Sequence, residues 1–175
     1  MAALRPARPD DDAAIARLHA AVWRETYRDL APAAAYQALD ETRHLARWRE
    51  ILGACASGAL VADLDGVVAG FGLCGPPGDP AFGARGEVKY LYVDRRMARR
   101  GLGRRLLLAM AERLHHQGYP GLALGVVVGN DPAIAFYRAL GGTMIGRYRD
   151  PGPLWRSENL VFAWDDLPGL VARSD

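Results

Sequence analysis

The stretch from Glu87 to Leu108 constrains the fold more than any other, because it forces a strand, a basic glycine-containing loop and a helix into immediate succession. Val88, Tyr90, Leu91, Tyr92 and Val93 are β-branched, aromatic or aliphatic, with Gly86 before them and charge after, and they predict a strand. Leu102, Leu106, Met110 and Leu114 recur every fourth residue beside Leu107 and Ala111, which gives a helix with one apolar stripe. Asp94 to Gly103, rich in arginine and holding two glycines, joins them. The first amides of a helix lack intrahelical partners and carry the positive end of its dipole, and glycine lets a ligand approach that backbone. Such a junction suits phosphate, and Arg99, Arg100, Arg104 and Arg105 add charge in a geometry that matches phosphate oxygens. A solvated basic helix start is the plainer alternative.

Two phosphate motifs fit poorly. A dinucleotide fingerprint needs a third glycine or alanine where Leu106 stands after Gly101 and Gly103. A triphosphate loop ends in Gly-Lys-Ser/Thr, whereas the only lysine, Lys89, lies in the strand. The stretch from Leu91 to Leu107 instead resembles the coenzyme A pyrophosphate loop of the GCN5-related N-acetyltransferases, Gln/Arg-x-x-Gly-x-Gly/Ala at the start of a helix. Gly101 and Gly103 match that pattern, while its first position falls on Ala98, with Arg99 and Arg100 adjacent.

A second stretch strengthens the resemblance. Asn130-Asp-Pro-Ala133-Ile-Ala-Phe136-Tyr137, closed by Gly141, is similar to the family's Asn-x-x-Ala-x-x-Phe-Tyr-x-x-x-Gly. Ala133, Phe136, Tyr137 and Leu140 share one helical face, so a core role for Tyr137 stands beside a catalytic one.

Around these motifs the chain reads as a strand over residues 2–7, a helix from the carboxylates Asp10 to Asp12 as far as Tyr27, and helical pieces Pro32–Leu39 and Glu41–Leu52. A hairpin follows, Ala59–Asp63 and Val67–Leu73, turned at Asp65-Gly66. Gly75–Gly86 is a loop. Leu122–Val128 is a valine-rich strand, Asn130-Asp131-Pro132 caps a helix to Leu140, and Thr143–Tyr148 with Glu158–Ala163 are the last strands. The expectation is an α/β fold, a mixed, mostly antiparallel central sheet flanked by helices, in the order the resemblance implies. One domain over residues 1–175 is expected at this length, with half of the residues hydrophobic.

A net charge of +2 gives no general nucleic-acid surface, and all but one of the 22 basic residues are arginine, a skew that genome composition alone can produce. Cys55 and Cys74 form neither a Cys-x-x-Cys pair nor a site with histidine, so no disulfide framework and no metal are expected. The amino terminus has no apolar signal core and no run approaches roughly 18 apolar residues. A soluble, cytoplasmic protein without membrane partners is expected.

The resemblance implies acetyl-CoA as co-substrate, a primary amine of a small molecule as acceptor, and direct attack in a ternary complex, with neither cysteine in either motif to form a covalent intermediate. It implies coenzyme contacts from Leu91, Tyr92, Val93, Arg99, Arg100, Gly101, Leu102, Gly103, Arg104, Asn130, Phe136 and Tyr137. Tyr137, a phenol of reference pKa about 10 against about 8.5 for a thiol, is the candidate acid for the departing thiolate. Glu87 is the candidate base, or a strand-end carboxylate in solvent paired with Arg85 or Lys89. Trp23, Tyr27 and Glu87 are the candidate acceptor contacts, against a core role for Trp23 and for Trp48. Two other functions remain open: a non-catalytic acyl-CoA-binding module, and an acetyltransferase acting on protein amino termini or lysines. The resemblance also implies that two copies can pair through the final strands.

Overall fold

The computed structural model describes residues 2–54 and 58–172, so Cys55 lies outside the described residues. Among the described residues, seven strands and six α-helices follow in the order β1 (Ala3–Pro6), α1 (Asp12–Thr26), α2 (Ala33–Ala38), α3 (Glu41–Gly53), β2 (Ala59–Leu64), β3 (Val67–Gly75), β4 (Gly86–Val93), α4 (Leu102–His116), β5 (Leu122–Val127), α5 (Asp131–Ala139), β6 (Thr143–Arg149), β7 (Glu158–Trp164) and α6 (Leu167–Ala172). The sheet order is β1-β2-β3-β4-β5-β7-β6. Pairing is antiparallel in β1–β2, β2–β3, β5–β7 and β6–β7, and parallel in β4–β5. A parallel pair needs a crossover, and α4 supplies it.

The chain divides into two compact units, one formed by the residues up to Leu73 with Tyr90–Leu107, the other by Cys74–Lys89 with the chain from Leu108 onward. In the first, Ile15, Ala16 and Leu18 of α1 and Trp48, Ile51 and Leu52 of α3 pack on Val61, Phe71 and Leu73 of β2 and β3. Spacings of three and four put these residues on one face of each helix. Trp48 is fully buried, so its core reading holds. The β2–β3 hairpin turns at Asp65 and Gly66 as expected, both with positive φ (52° and 85°), and the Asp63 carboxylate accepts from the Gly66 amide.

The first helix departs from expectation at its start. A 3-10 turn, Pro9–Asp11, precedes α1, and Asp11 does not cap the helix. Its carboxylate accepts a two-pronged bond from the Arg5 guanidinium, at 2.7 and 2.9 Å, and one from the Arg8 amide. Arg5 also donates to Asp63, tying β1 to β2, and holds the Asp11 carboxyl below the usual carboxylate range.

In the second unit β7 pairs with β5 from Leu122↔Trp164 to Val127↔Asn159 and with β6 on its other side. Gly86 lies under Leu114 of α4, where a side chain would collide. The 75–86 loop contains a 3-10 turn, Pro80–Phe82, that sends Phe82 onto Ala123, Val161 and Ala163. Helix α6, too short for a periodic signal, buries Leu167 and Leu170. The Cys74 thiol is buried and pushed up to about 11 by that burial.

Two buried histidines sit inside the first unit. His19 of α1 and His44 of α3 stack with ring centroids 3.9 Å apart, and His19 is ringed by Phe71, Tyr90 and Tyr92. The Trp48 indole donates to His19 Nδ1 at 3.1 Å, leaving the proton on Nε2. His44 Nε2 is buried with no hydrogen-bond partner. Burial lowers both pKa values below 6.5, that of His19 strongly and with a further push from the charge of His44, while Asp40 partly offsets the effect at His44. Unfolded, both imidazoles titrate near 6.5 and bind more protons than the folded chain at lower pH, so stability falls as pH drops below that value. The slope is at most about 1.4 kcal/mol per pH unit for each imidazole. The urea midpoint is expected to be clearly lower at about pH 5 than at about pH 7.5, with a shallower difference in His44→Leu. Equal midpoints at the two values would contradict this.

Candidate functional site

The basic loop is built from the end of β4 outward. The Asp94 amide bonds to Ala69 O at 2.9 Å, and the Asp94 carboxylate accepts from the Arg96 amide at 2.9 Å and from its guanidinium at 2.6 Å. This pairing holds the Asp94 carboxyl below its usual range. The 3-10 turn Arg95–Met97 follows, then two left-handed residues, Arg99 (φ 61°) and Gly101 (φ 76°). The first intrahelical bond of α4 runs from the Arg105 amide to Gly101 O. The amides of Leu102 and Gly103 therefore belong to the opening turn of α4, where a helix has no acceptors for its own donors. Left-handed turns of this kind gather backbone N–H groups into anion-binding concavities.

The arginines that look alike in sequence divide by partner. Arg95 pairs with Glu25 of α1 at 3.0 Å, Arg96 with Asp94, and Arg105 donates to the Ala2 carbonyl at 2.8 Å. Arg105 is therefore a structural tie, not a source of loop charge. Among the described residues, Arg99 and Arg100 have no ion-pair partner, and both are exposed. Leu102 buries its side chain, so only its backbone faces the loop.

On β4 the Tyr92 ring stacks on Phe71 at 5.4 Å and touches His19 at 4.6 Å. A Cβ on Gly70 would meet Tyr92 O, Val93 and Leu106, so that glycine admits close contact among β3, β4 and α4. Tyr92 and Val93 thus spend their side chains on packing. Trp23 is buried against Tyr27 (5.2 Å) and Tyr36 (6.1 Å), with the Arg24 guanidinium 4.3 Å over Tyr36. Trp23 is a packing residue, and Tyr27 beside it is half-buried.

In the second unit Tyr137 is buried on α5, edge-on to Trp164 (6.1 Å, 79°) and 6.2 Å from Phe162, with Phe136 beside it at 5.1 Å. The end of α5 is fastened beneath it: the Trp164 indole donates to Leu140 O and the Gly142 amide to Tyr137 O, both at 2.9 Å. Asn130 holds the N-cap position of α5, yet its side chain makes no capping bond; its carbonyl accepts from the Ile134 amide.

Glu87 is mostly buried and anchored. Its Oε2 accepts from the Gly78 amide at 2.7 Å and lies 3.5 Å from Lys89 Nζ. Both contacts fall on one oxygen, and among the described residues Oε1 has no partner. Arg85 is occupied by Asp165 instead, at 2.6 Å. Strand register fixes the direction of Glu87. Gly86 pairs with Leu122, which pairs with Trp164, and this row faces Leu114 of α4. Alternation turns the next row, Glu87, Ala123 and Ala163, to the other face. Tyr137, packed on Phe162 and Trp164, is therefore on the face opposite Glu87. A carboxylate on one face of these strands and a phenol on the other can handle two separate protons.

Neither His19 nor His44 carries a sequence signal for its burial. Asp94 is spent on its loop, and His115 and His116 are exposed at the end of α4.

Comparison with known proteins places this architecture. The Bacillus subtilis (strain 168) protein YuaI, an uncharacterized N-acetyltransferase, is 29% identical over 171 residues, 97% of this chain and 96% of that protein. The phosphinothricin N-acetyltransferase of Streptomyces viridochromogenes is 33% identical over 98 residues, 53% of this chain and 51% of that one. Among solved structures, the PaiA N-acetyltransferase of Thermoplasma acidophilum in complex with coenzyme A matches with a TM-score of 0.74 at 15% identity, over 95% of this chain and 99% of that one. YncA of Salmonella typhimurium, with acetyl-CoA, matches with a TM-score of 0.67 at 23% identity, over 94% of each chain. These two share the fold, which is the mixed, mostly antiparallel sheet expected. The model of the acetyltransferase (GNAT) family matches residues 18–141, well over half of the sequence, and the chain belongs to that family.

Proposed function

We propose that this acetyltransferase moves an acetyl group from acetyl-CoA to a primary amine of a small molecule, by direct attack of the amine. The observation that carries the reading is that Glu87 of β4 and Tyr137 of α5, the latter packed on β7, lie on opposite faces of the sheet, each held by contacts that fix its direction. The relatives named as N-acetyltransferases support it.

The opening turn of α4 fits a pyrophosphate: the Leu102 and Gly103 amides with the left-handed Gly101 offer donors, and Arg99, Arg100 and Arg104 offer charge. Backbone groups of Leu91, Tyr92 and Val93 pair with the pantetheine arm as a further strand would, with Asn130 and Phe136 of the second motif also in contact. Bound there, the coenzyme supplies an activated thioester. Glu87 Oε1 accepts the proton that the amine loses as its nitrogen bonds to the acyl carbon. Tyr137 gives its proton to sulfur as the carbon–sulfur bond breaks, and is reprotonated from solvent. Amine and thiol protons thus travel on opposite faces, and no enzyme-bound acyl group forms.

Tyr137→Phe is expected to keep acetyl-CoA affinity and lower kcat by about 100-fold or more. A wild-type kcat in that variant removes the acid from Tyr137. Gly103→Glu puts bulk and negative charge into the opening turn and is expected to weaken acetyl-CoA binding at least about tenfold, read by calorimetry. Unchanged affinity would remove the coenzyme from this loop. Thiol release against amines, polyamines, aminoglycosides and short peptides tests the reading as a whole: binding without release for every acceptor favours a non-catalytic module.

A further inference from the structure

The candidate base has a primary amine of the protein's own beside it. Lys89 is the only lysine of the sequence, and its Nζ lies 3.5 Å from Glu87 Oε2. The arginines keep their charge and do not act as nucleophiles. Lys89 is thus the one side chain of this protein that acetyl transfer to a primary amine could use as its acceptor.

Strand alternation accounts for the pairing. Glu87 and Lys89 are two apart on β4, so both side chains leave the same face. The contact to Nζ is longer than a good N–H···O bond, whereas the Gly78 amide reaches the same oxygen at 2.7 Å. Gly78 closes on both groups: a Cβ there would lie 3.1 Å from Oε2 and 3.8 Å from Nζ. The loop therefore holds the carboxylate, and the lysine rests against it as a loose ion pair. The Lys89 side chain is 36% exposed against 16% for Glu87, so the lysine is open to solvent while the carboxylate is sheltered. An ion pair this open is worth little, and a flexible four-carbon stem can pass from Oε2 to the neighbouring Oε1 at small cost.

Oε1 is the atom that, in the transfer reading, receives the acceptor's proton. An amine tethered within reach of that atom needs no binding step, and reaction between groups so placed is unimolecular. Leu91, whose backbone that reading gives to the pantetheine arm, is two residues further along the same strand.

We propose that Lys89 is a self-acetylation site: with acetyl-CoA bound and no external acceptor present, its amine takes the acetyl group in cis. The neutral amine attacks the acyl carbon, and the nitrogen–carbon bond forms as the carbon–sulfur bond breaks. The amine's proton passes to Glu87 Oε1, and Tyr137 gives its proton to the departing sulfur. The products are ε-N-acetyllysine at position 89 and free coenzyme A. This inference rests on the acetyl-transfer reading above and adds to it a substrate within the chain.

The test incubates the wild-type protein with saturating acetyl-CoA alone and follows the Lys89 peptide by mass spectrometry. Lys89 is expected to gain one acetyl group, at a rate per molecule that stays the same on about tenfold dilution of the protein. Glu87→Gln, which keeps an oxygen for the Gly78 amide, and Tyr137→Phe are each expected to slow that gain about 100-fold or more, with acetyl-CoA binding checked by calorimetry. A rate that falls on dilution, or that either variant leaves unchanged, overturns the proposal, since the acetyl group then arrives from another molecule or directly from solution. No acetyl group on Lys89, with thiol release on an external amine, overturns it and leaves acetyl transfer standing. No acetyl group on Lys89 and no release with any amine of the panel overturns the transfer reading and this inference with it.

Discussion

The parallel pairing of β4 with β5 is the constraint on which the rest of the structure depends. Strands that run the same way cannot be joined by a hairpin, and the return journey here is made by α4. A crossover helix has to begin past the end of the first strand, so its unpaired amides open beyond Val93, after the loop that holds the 3-10 turn Arg95–Met97. The polar loop is therefore a consequence of topology: any chain with this strand order presents a helix start at that point. Sequence then decides what the start is good for, and here it is glycine, left-handed backbone and arginine.

Close packing at glycine sets the directions of the side chains around the candidate site. Gly86 lets Leu114 press onto the start of β4, and that contact turns Glu87 to the other face. Gly142 admits the Trp164 ring, whose indole fastens the end of α5 and whose edge meets Tyr137. Gly125 does the same for Tyr148. In each case the missing Cβ brings an aromatic or branched side chain against backbone, where it has little freedom to turn, and a group so held loses less entropy when it meets a ligand.

Much of this is legible in the sequence, and the reason is periodicity. The apolar stripe of α4, the Asp65-Gly66 turn and the valine-rich β5 each announce themselves within a few residues, and the structure has them within a residue or two of the expected limits. The helix start was harder, because Asp10 to Asp12 look like capping residues to any local rule. Arg5, a neighbour only through the fold, claims Asp11 instead. The same limit governs the arginines. Nothing local separates Arg105 from Arg104; the Ala2 carbonyl, 103 residues away in the chain, does so. Tyr148 and Phe82 are illegible for a related reason, since one lies in an edge strand and the other in a loop, and each packs on other elements, Tyr148 on Gly125 and Phe82 on Ala123, Val161 and Ala163.

Proton economy gives the opposed placement of Glu87 and Tyr137 its significance. Were the two groups in contact, the phenol would donate to the carboxylate in the resting state, and each would occupy the lone pair or proton that the other role needs. With the sheet between them, no such bond forms. Glu87 instead takes its fixed contacts on Oε2, from the Gly78 amide and Lys89, and in the proposed reaction Oε1 takes the amine's proton. In the proposed reaction the Tyr137 proton goes to sulfur. In the proposed reaction the two transfers are coupled only through the reacting bond, so removing either group should slow turnover without altering the other's alignment.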